Sequence, residues 1–140
     1  MKLNKKGFSL IELLVALSIL AIGLLGIIPL AITTIRLNTY QNQMLNAKYL
    51  AERQAEFLRS ITFTAPELAN DNDNNDLYDT ANPDHILATT IEGITYNVMW
   101  NIVDDSAGTR TINIIVQWVT PRTGETKNYN ITLVRSSYEI

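Results

Sequence analysis

The sequence contains no cysteine and only one histidine, His85, and each shortage excludes a class of protein. Without cysteine the chain cannot form a disulfide scaffold, bind zinc or iron–sulfur clusters through thiolates, or use a thiol nucleophile. A single histidine excludes a histidine-rich metal cage. Positive charge is also scarce, since the formal net charge is −3. The chain therefore lacks the excess of basic residues that is typical of nucleic-acid-binding proteins.

No group of residues indicates catalysis. Serine and aspartate are plentiful, but none has a recognisable histidine, lysine or metal partner nearby in the sequence, so we expect no enzyme activity and no resident cofactor. With 140 residues, of which 46% are hydrophobic, the chain is long enough for one folded domain and one appendage. These features favour a structural or binding role.

Formal charge is absent from Leu13 to Ile32. This run of about twenty residues is long enough to cross a membrane as a helix. The preceding segment 1–7 contains three lysines and no acidic residue, which favours a cytoplasmic N-terminus. We therefore expect a single-pass membrane protein, because a cleaved secretory signal would have a shorter apolar run followed by a small-residue cleavage site.

Glu12 lies inside the front edge of this apolar run. A carboxylate at membrane depth costs several kcal/mol unless it is paired or neutralised, so its presence predicts a function. A plain membrane anchor has no use for it. The partner must supply a positive charge, and the amino group of a chain cleaved nearby would serve.

The segment KKGFSLIELLVAL, residues 5–17, resembles the prepilin cleavage and methylation motif of type IV pilins and pseudopilins. The family pattern is a basic leader ending in glycine, then a phenylalanine that becomes the first mature residue, then an apolar helix with glutamate as the fifth mature residue. The resemblance implies that prepilin peptidase cleaves between Gly7 and Phe8 and then methylates the amino group of Phe8. It also implies that Glu12 pairs with the N-terminus of a neighbouring pilin subunit during assembly.

The run from Leu14 to Gly26 resembles that of pilus-modification-type minor pilins and minor pseudopilins. The resemblance implies a minor pilin, a structural subunit of a type IV pilus-like filament. It would be held in inner-membrane lipid, assembled by an inner-membrane platform, and exported to an extracellular pilus. One alternative is a minor pseudopilin of a type II secretion system in a periplasmic pseudopilus. Another is a membrane-anchored binding module that never polymerises.

Three residues inside the apolar run weaken a helix, namely Gly23, Gly26 and Pro29. Proline removes a backbone donor and clashes with the preceding turn, so we expect a kink or a locally unwound stretch. The family resemblance implies that this stretch loses helicity in an assembled pilus. A tolerated kink in a membrane helix is the alternative.

Beyond the apolar run, an apolar stripe predicts that the helix continues to about Arg59. The stripe consists of Leu37, Tyr40, Met44, Ala47, Ala51, Ala55 and Leu58. Opposite it we expect the polar residues Asn42, Gln43, Asn46, Arg53 and Glu56, and a weak pair between Lys48 and Glu52. The predicted organisation is a leader (1–7), a transmembrane or filament-core half of the helix (8–35) and a periplasmic or extracellular globular domain (36–140). That domain comprises helix 36–60, loop 61–85 and sheet 86–140.

Alternating apolar residues predict three strands within 94–102, 112–118 and 129–133. A fourth strand is expected at 86–91. Short turn clusters separate the strands, so an antiparallel meander should form, with Trp100 and Trp118 in its core against the helix. The fold class is therefore α+β, a pilin-like ladle with a long N-terminal helix packed against a small antiparallel sheet of three to four strands.

The loop contains an acidic, amide-rich segment whose spacing imitates the ligand positions of a calcium loop. The candidate ligands are Asp71, Asp73, Asn75 and Asp79. Asp76 replaces the glycine of that motif and Asn82 replaces its final glutamate. A solvated surface loop is therefore the alternative, and we place His85 on the surface of the same loop.

Overall fold

The protein is described from a computed structural model, which covers residues 9–71, 76–105 and 108–137. One long helix precedes a four-stranded sheet, so the predicted α+β pilin-like layout is confirmed. The elements are α1 (Leu10–Ser60), a 3-10 turn (Pro66–Leu68), β1 (His85–Ile91), β2 (Ile94–Asp105), β3 (Thr109–Val119) and β4 (Thr126–Ser136). The chain divides into two compact units, Met1–Gln41 and Asn42–Ile140, which are considered separately.

The described part of the first unit is helical from Leu10 onward, and all its side chains from Ser9 to Gln41 are exposed. Helix α1 passes without interruption through Pro29. By length and composition it is apolar enough to cross a membrane. The exposed apolar side chains are those that lipid or other helices would cover.

In the second unit, residues 42–60 of α1 pack against the sheet. Four residues of the predicted stripe are buried against the sheet and belong to the main core. They are Ala47, Ala51, Ala55 and Leu58. The small alanine side chains let the backbone of the helix approach the sheet closely. Gln43 departs from the prediction, because it is 6% exposed on the core side. Its side-chain oxygen accepts a hydrogen bond from the indole Nε1 of Trp118 at 3.2 Å.

The sheet is an antiparallel meander in the order β1-β2-β3-β4. The register places Trp100 opposite Ile114 and Ile112 opposite Leu133. The core-facing residues of the central strands are those that the alternation predicted, since cross-strand partners share a face. They are Tyr96, Val98, Trp100 and Ile102 from β2 and Ile112, Ile114, Val116 and Trp118 from β3.

The opposite face of the two central strands is also largely buried, which the alternation did not predict. Met99, Asn101, Asn113 and Ile115 are each no more than 3% exposed. The loop before β1 lies against this face. Asn101 Nδ2 donates to the carbonyl oxygen of Asp79 at 2.7 Å, and Asn113 Nδ2 donates to that of Leu77 at 2.7 Å. The two amides satisfy loop carbonyls that would otherwise need water.

Candidate functional site

Glu12 lies in the first turn of α1, with its side chain exposed. The carbonyl oxygen of Ser9, which directly precedes the helix, accepts hydrogen bonds from the backbone nitrogens of Glu12 at 3.0 Å and Leu13 at 3.1 Å. A serine followed three positions later by glutamate is the sequence pattern of a capping box, and the positive end of the helix dipole favours a carboxylate there. The spacing of Ser9 and Glu12 therefore suits a local helix-capping role for Glu12 in addition to charge pairing.

The ion pairs within the described ranges do not include Glu12. The predicted cleavage and methylation residues, Gly7 and Phe8, lie outside the described residues, so their roles stay predictions. The same holds for the pairing of Glu12 with a neighbouring N-terminus. A cation for Glu12 would have to come from the segment before Ser9 or from another molecule.

The apolar part of α1 satisfies its few hydroxyl groups internally. Ser18 Oγ donates to the carbonyl oxygen of Leu14 at 2.8 Å, and Thr33 Oγ1 donates to that of Pro29 at 2.9 Å. Such bonds to the preceding turn remove the cost of exposing a hydroxyl to hydrocarbon.

None of the residues that the structure describes packs against Gly23 or Gly26. A Cβ atom added at Gly23 or Gly26 would meet nothing within 4 Å. These contacts do not test whether the helix kinks or loses helicity at Gly23, Gly26 and Pro29, so that stays a prediction.

The candidate calcium ligands are only partly described, because Asp73 and Asn75 lie outside the described ranges. Asp79 Oδ1 accepts hydrogen bonds from the backbone nitrogens of Ala81 at 2.8 Å and Asn82 at 3.1 Å. Within the described ranges, no three histidine, cysteine, aspartate or glutamate side chains are grouped so that they could hold a metal ion. The calcium site stays a prediction.

Asp84 anchors the loop to the sheet. Its Oδ2 accepts a hydrogen bond from the backbone nitrogen of Ile102 at 2.6 Å, and its Oδ1 accepts one from that of Asp71 at 3.0 Å. Burial raises the pKa of the Asp84 carboxyl, and the nearby Asp71 side chain raises it further, whereas the two backbone donors act in the opposite direction. No local sequence pattern indicates this role of Asp84, because its partners Asp71 and Ile102 are 13 and 18 positions away in the chain.

His85 was predicted as a surface loop residue, and this was wrong. It is the first residue of β1, half-buried, and its ring stacks on Trp100 with centroids 5.1 Å apart. Its Nε2 lies 2.9 Å from the carbonyl oxygen of Ala69. The stacking follows from the strand register, in which the two residues are direct partners.

The N-terminal segment matches a known family model. Residues 2–28 match the prokaryotic N-terminal methylation motif, which is the signature of type IV prepilins. The resemblance of this segment to the prepilin motif is thereby confirmed, and it supports a type IV pilin-like or pseudopilin subunit. The motif implies processing by prepilin peptidase, assembly with other pilins and anchoring in a membrane. The chain matches no curated protein and no solved structure.

Proposed function

We propose that this chain is a minor pilin, a structural subunit of a type IV pilus-like filament assembled from the inner membrane. The observation that carries the proposal is the position of Glu12. Its carboxylate lies at the start of an exposed apolar helix, within the methylation motif at residues 2–28. A carboxylate in that setting needs a cationic partner, and a filament of parallel helices provides one on each neighbouring subunit.

In the proposed mechanism, prepilin peptidase cleaves the bond between Gly7 and Phe8 on the cytoplasmic side. Cleavage removes Lys2, Lys5 and Lys6 and creates a new amino group on Phe8, which is then methylated. Loss of the charged leader lowers the cost of drawing the helix out of the membrane. The amine of one subunit then pairs with Glu12 of another, and this pair sets the axial register of the helices.

The first experiment is the intact mass of the protein from sheared surface filaments and from the membrane fraction. A species that begins at Phe8 and carries one methyl group, present in the sheared material, is the expected result. Processed protein found only in the membrane would instead favour the minor pseudopilin. An unprocessed chain, in cells with active prepilin peptidase, would contradict both and favour the anchored binding module.

The second experiment separates the two possible roles of Glu12. Glu12→Ala removes both the charge and the capping group, whereas Glu12→Gln removes the charge and keeps a side chain that suits the capping box. If charge pairing drives assembly, both variants should lose most of their incorporation into filaments while remaining in the membrane. Normal incorporation of Glu12→Gln would contradict the pairing proposal, and a loss of incorporation confined to Glu12→Ala would then favour a helix-capping role.

A further inference from the structure

The free edge of the sheet at β1 borders an open groove between that strand and residues 50–57 of α1. The groove holds about 340 Å³, and Leu50, Phe57, Leu87 and Val98 contribute apolar walls while Arg53 and Gln54 contribute polar ones. Leu87 is the cross-strand partner of Val98 and shares its helix-facing side. It is nevertheless 53% exposed. Among the described strands none lies beyond β1, so the sheet ends before it covers this part of the helix.

Strand β1 lacks the features that normally protect an edge. Its sequence, HILATTI, contains no lysine, proline or acidic residue, and Ile86 on its outer face is 59% exposed. Uncharged edge strands with exposed apolar side chains readily pair with another strand. The groove adds a place for the inward side chains of such a strand.

The opposite edge of the sheet, β4, is complementary to β1 in direction. All neighbouring strands are antiparallel, and with four strands in sequence order the two edge strands also run antiparallel to each other. A second copy in the same orientation can therefore place its β4 antiparallel to β1 without being turned around. Its Tyr129 and Ile131 pack against its own core but are only partly buried, so part of each side chain is free for a neighbour.

We propose that β4 of one copy pairs with β1 of the next, so that the sheet continues from copy to copy and closes the groove. This inference rests on the proposed function only in taking all copies to share one orientation in the membrane. The partner is thus a second copy of this chain, and the contact is repeated head to tail. It supplies the globular domains with a lateral interaction in addition to the helix contacts of the filament.

The faces of the two strands restrict the register to one in which helix-facing residues lie opposite each other. The helix-facing side of β1 carries Leu87 and that of β4 carries Ile131, so these two residues should lie opposite each other. Ala88 then lies opposite Asn130 on the outer face, where both side chains are exposed. The same register places Lys127, which pairs with Glu125 of its own chain at 2.9 Å, opposite Ile91.

The test uses the full-length chain in membranes, and the absence of native cysteine makes introduced cysteines unique. Under mild oxidation, the double variant Ala88→Cys with Asn130→Cys should form a ladder of dimers, trimers and longer species. An intramolecular bridge is excluded because three strand spacings, about 14 Å, separate the two edges. Ala88→Cys with Arg122→Cys, which lies in the turn before β4, is the matched control and should give no ladder.

Two results would overturn the inference. One is the absence of a ladder when Ala88→Cys is combined in turn with cysteine at Asn128, Asn130 and Thr132, which covers the registers two residues on either side. The other is efficient dimer formation by Ala88→Cys alone, which would indicate pairing of β1 with β1. Tryptophan fluorescence of each variant verifies that the core around Trp100 and Trp118 is intact.

A lysine substitution tests whether the groove itself takes part. Leu87→Lys places a charge on the groove side and should lower the ladder yield roughly tenfold. Ile86→Lys places the same charge on the outer face and should change the yield little. Equal effects of the two variants would contradict closure of the groove.

The outcome is separable from that of the proposed function. A chain that is processed at Phe8 and incorporated into filaments but gives no ladder would overturn the inference and retain the filament role. A ladder formed by chains that are never processed would support the inference and contradict the filament role.

Discussion

The guanidinium group of Arg135 in β4 closes the C-terminal end of helix α1, because its Nη1 donates a hydrogen bond to the carbonyl oxygen of Leu58 at 2.7 Å. The same nitrogen lies 2.8 Å from the carbonyl oxygen of Ile61, just beyond the helix. Arg135 is only 7% exposed. A buried cation that binds the free carbonyls at the negative end of a helix dipole should contribute strongly to stability.

Replacing this cation should therefore destabilise the C-terminal unit. For Arg135→Met, which keeps most of the volume, we expect a loss of about 2–4 kcal/mol in the free energy of unfolding, because buried carbonyls lose a charged donor. Arg135→Lys should be intermediate, since a lysine provides charge without the planar guanidinium. Urea unfolding of the full chain in detergent, followed by tryptophan fluorescence, measures both.

Arg59→Met is the matched control for this prediction. Arg59 forms an ion pair with Glu56 at 2.7 Å, but both side chains are more than half exposed. Exposed pairs on a helix contribute little, so the expected change is within about 0.5 kcal/mol. Similar losses for Arg59→Met and Arg135→Met would contradict the special role of Arg135.

Much of the core could be predicted from the sequence, because it depends on local periodicity. Alternation placed Tyr96 and Ile112 correctly in the sheet, and the three- and four-residue spacing placed Ala51 correctly on the helix. Each pattern reports which face of one element is buried, and no knowledge of a distant partner is needed. The same reasoning predicted the exposed Lys48–Glu52 pair, whose charged atoms are 3.7 Å apart.

The buried polar residues could not be predicted in this way. The helical pattern places Gln43 on the solvent-facing side. Its burial depends on a hydrogen bond from the indole of Trp118, which lies 75 positions later in the chain. Asn101 and Asn113 look like the exposed side of two strands until loop carbonyls are placed beside them. In each case the deciding partner comes from another element, so a single-element pattern cannot report it.

The role of Asp84 predicts a distinctive pH dependence. Its pKa is raised above the ordinary 3.8 by burial and by Asp71, so the folded chain binds a proton there more readily than the unfolded chain does. The contribution of this group to stability is therefore fully present below its unfolded pKa and is lost as the pH rises through the folded pKa. The ionised carboxylate still anchors the loop through its two backbone donors.

We expect the difference in unfolding free energy between the parent chain and Asp84→Asn to change with pH over the acidic range that begins near 3.8. The parent should lose stability relative to the variant as the pH rises through this range, because the variant cannot ionise. A difference between parent and Asp84→Asn that is constant with pH would contradict the assignment.

The calcium prediction for the loop is tested by titration calorimetry of the full chain in detergent. If Asp71, Asp73, Asn75 and Asp79 bind calcium, millimolar calcium should release or absorb heat and raise the unfolding temperature, as in weak extracellular sites. Magnesium at the same concentration should have a much smaller effect, because it requires a tighter octahedral arrangement. Asp79→Asn should weaken the calcium response, and no response in the parent chain would favour the solvated loop.

In the apolar helix, Gly26 and Pro29 are among the residues least favourable to helical structure. Gly26→Ala and Pro29→Ala should each strengthen the isolated helix, by about 1 and about 3 kcal/mol respectively. Neither substitution removes a charge, and a Cβ at Gly26 would meet nothing within 4 Å among the described residues. If this stretch must lose helicity in the filament, the double variant should insert into the membrane normally yet assemble poorly. The ratio of protein in sheared filaments to protein in the membrane measures this.

The control for this prediction is Leu24→Ala in the same helix, which leaves both Gly26 and Pro29 in place. Equal assembly of the parent and the double variant would show that the glycine and proline are only tolerated. Assembly would then not require this stretch to lose helicity.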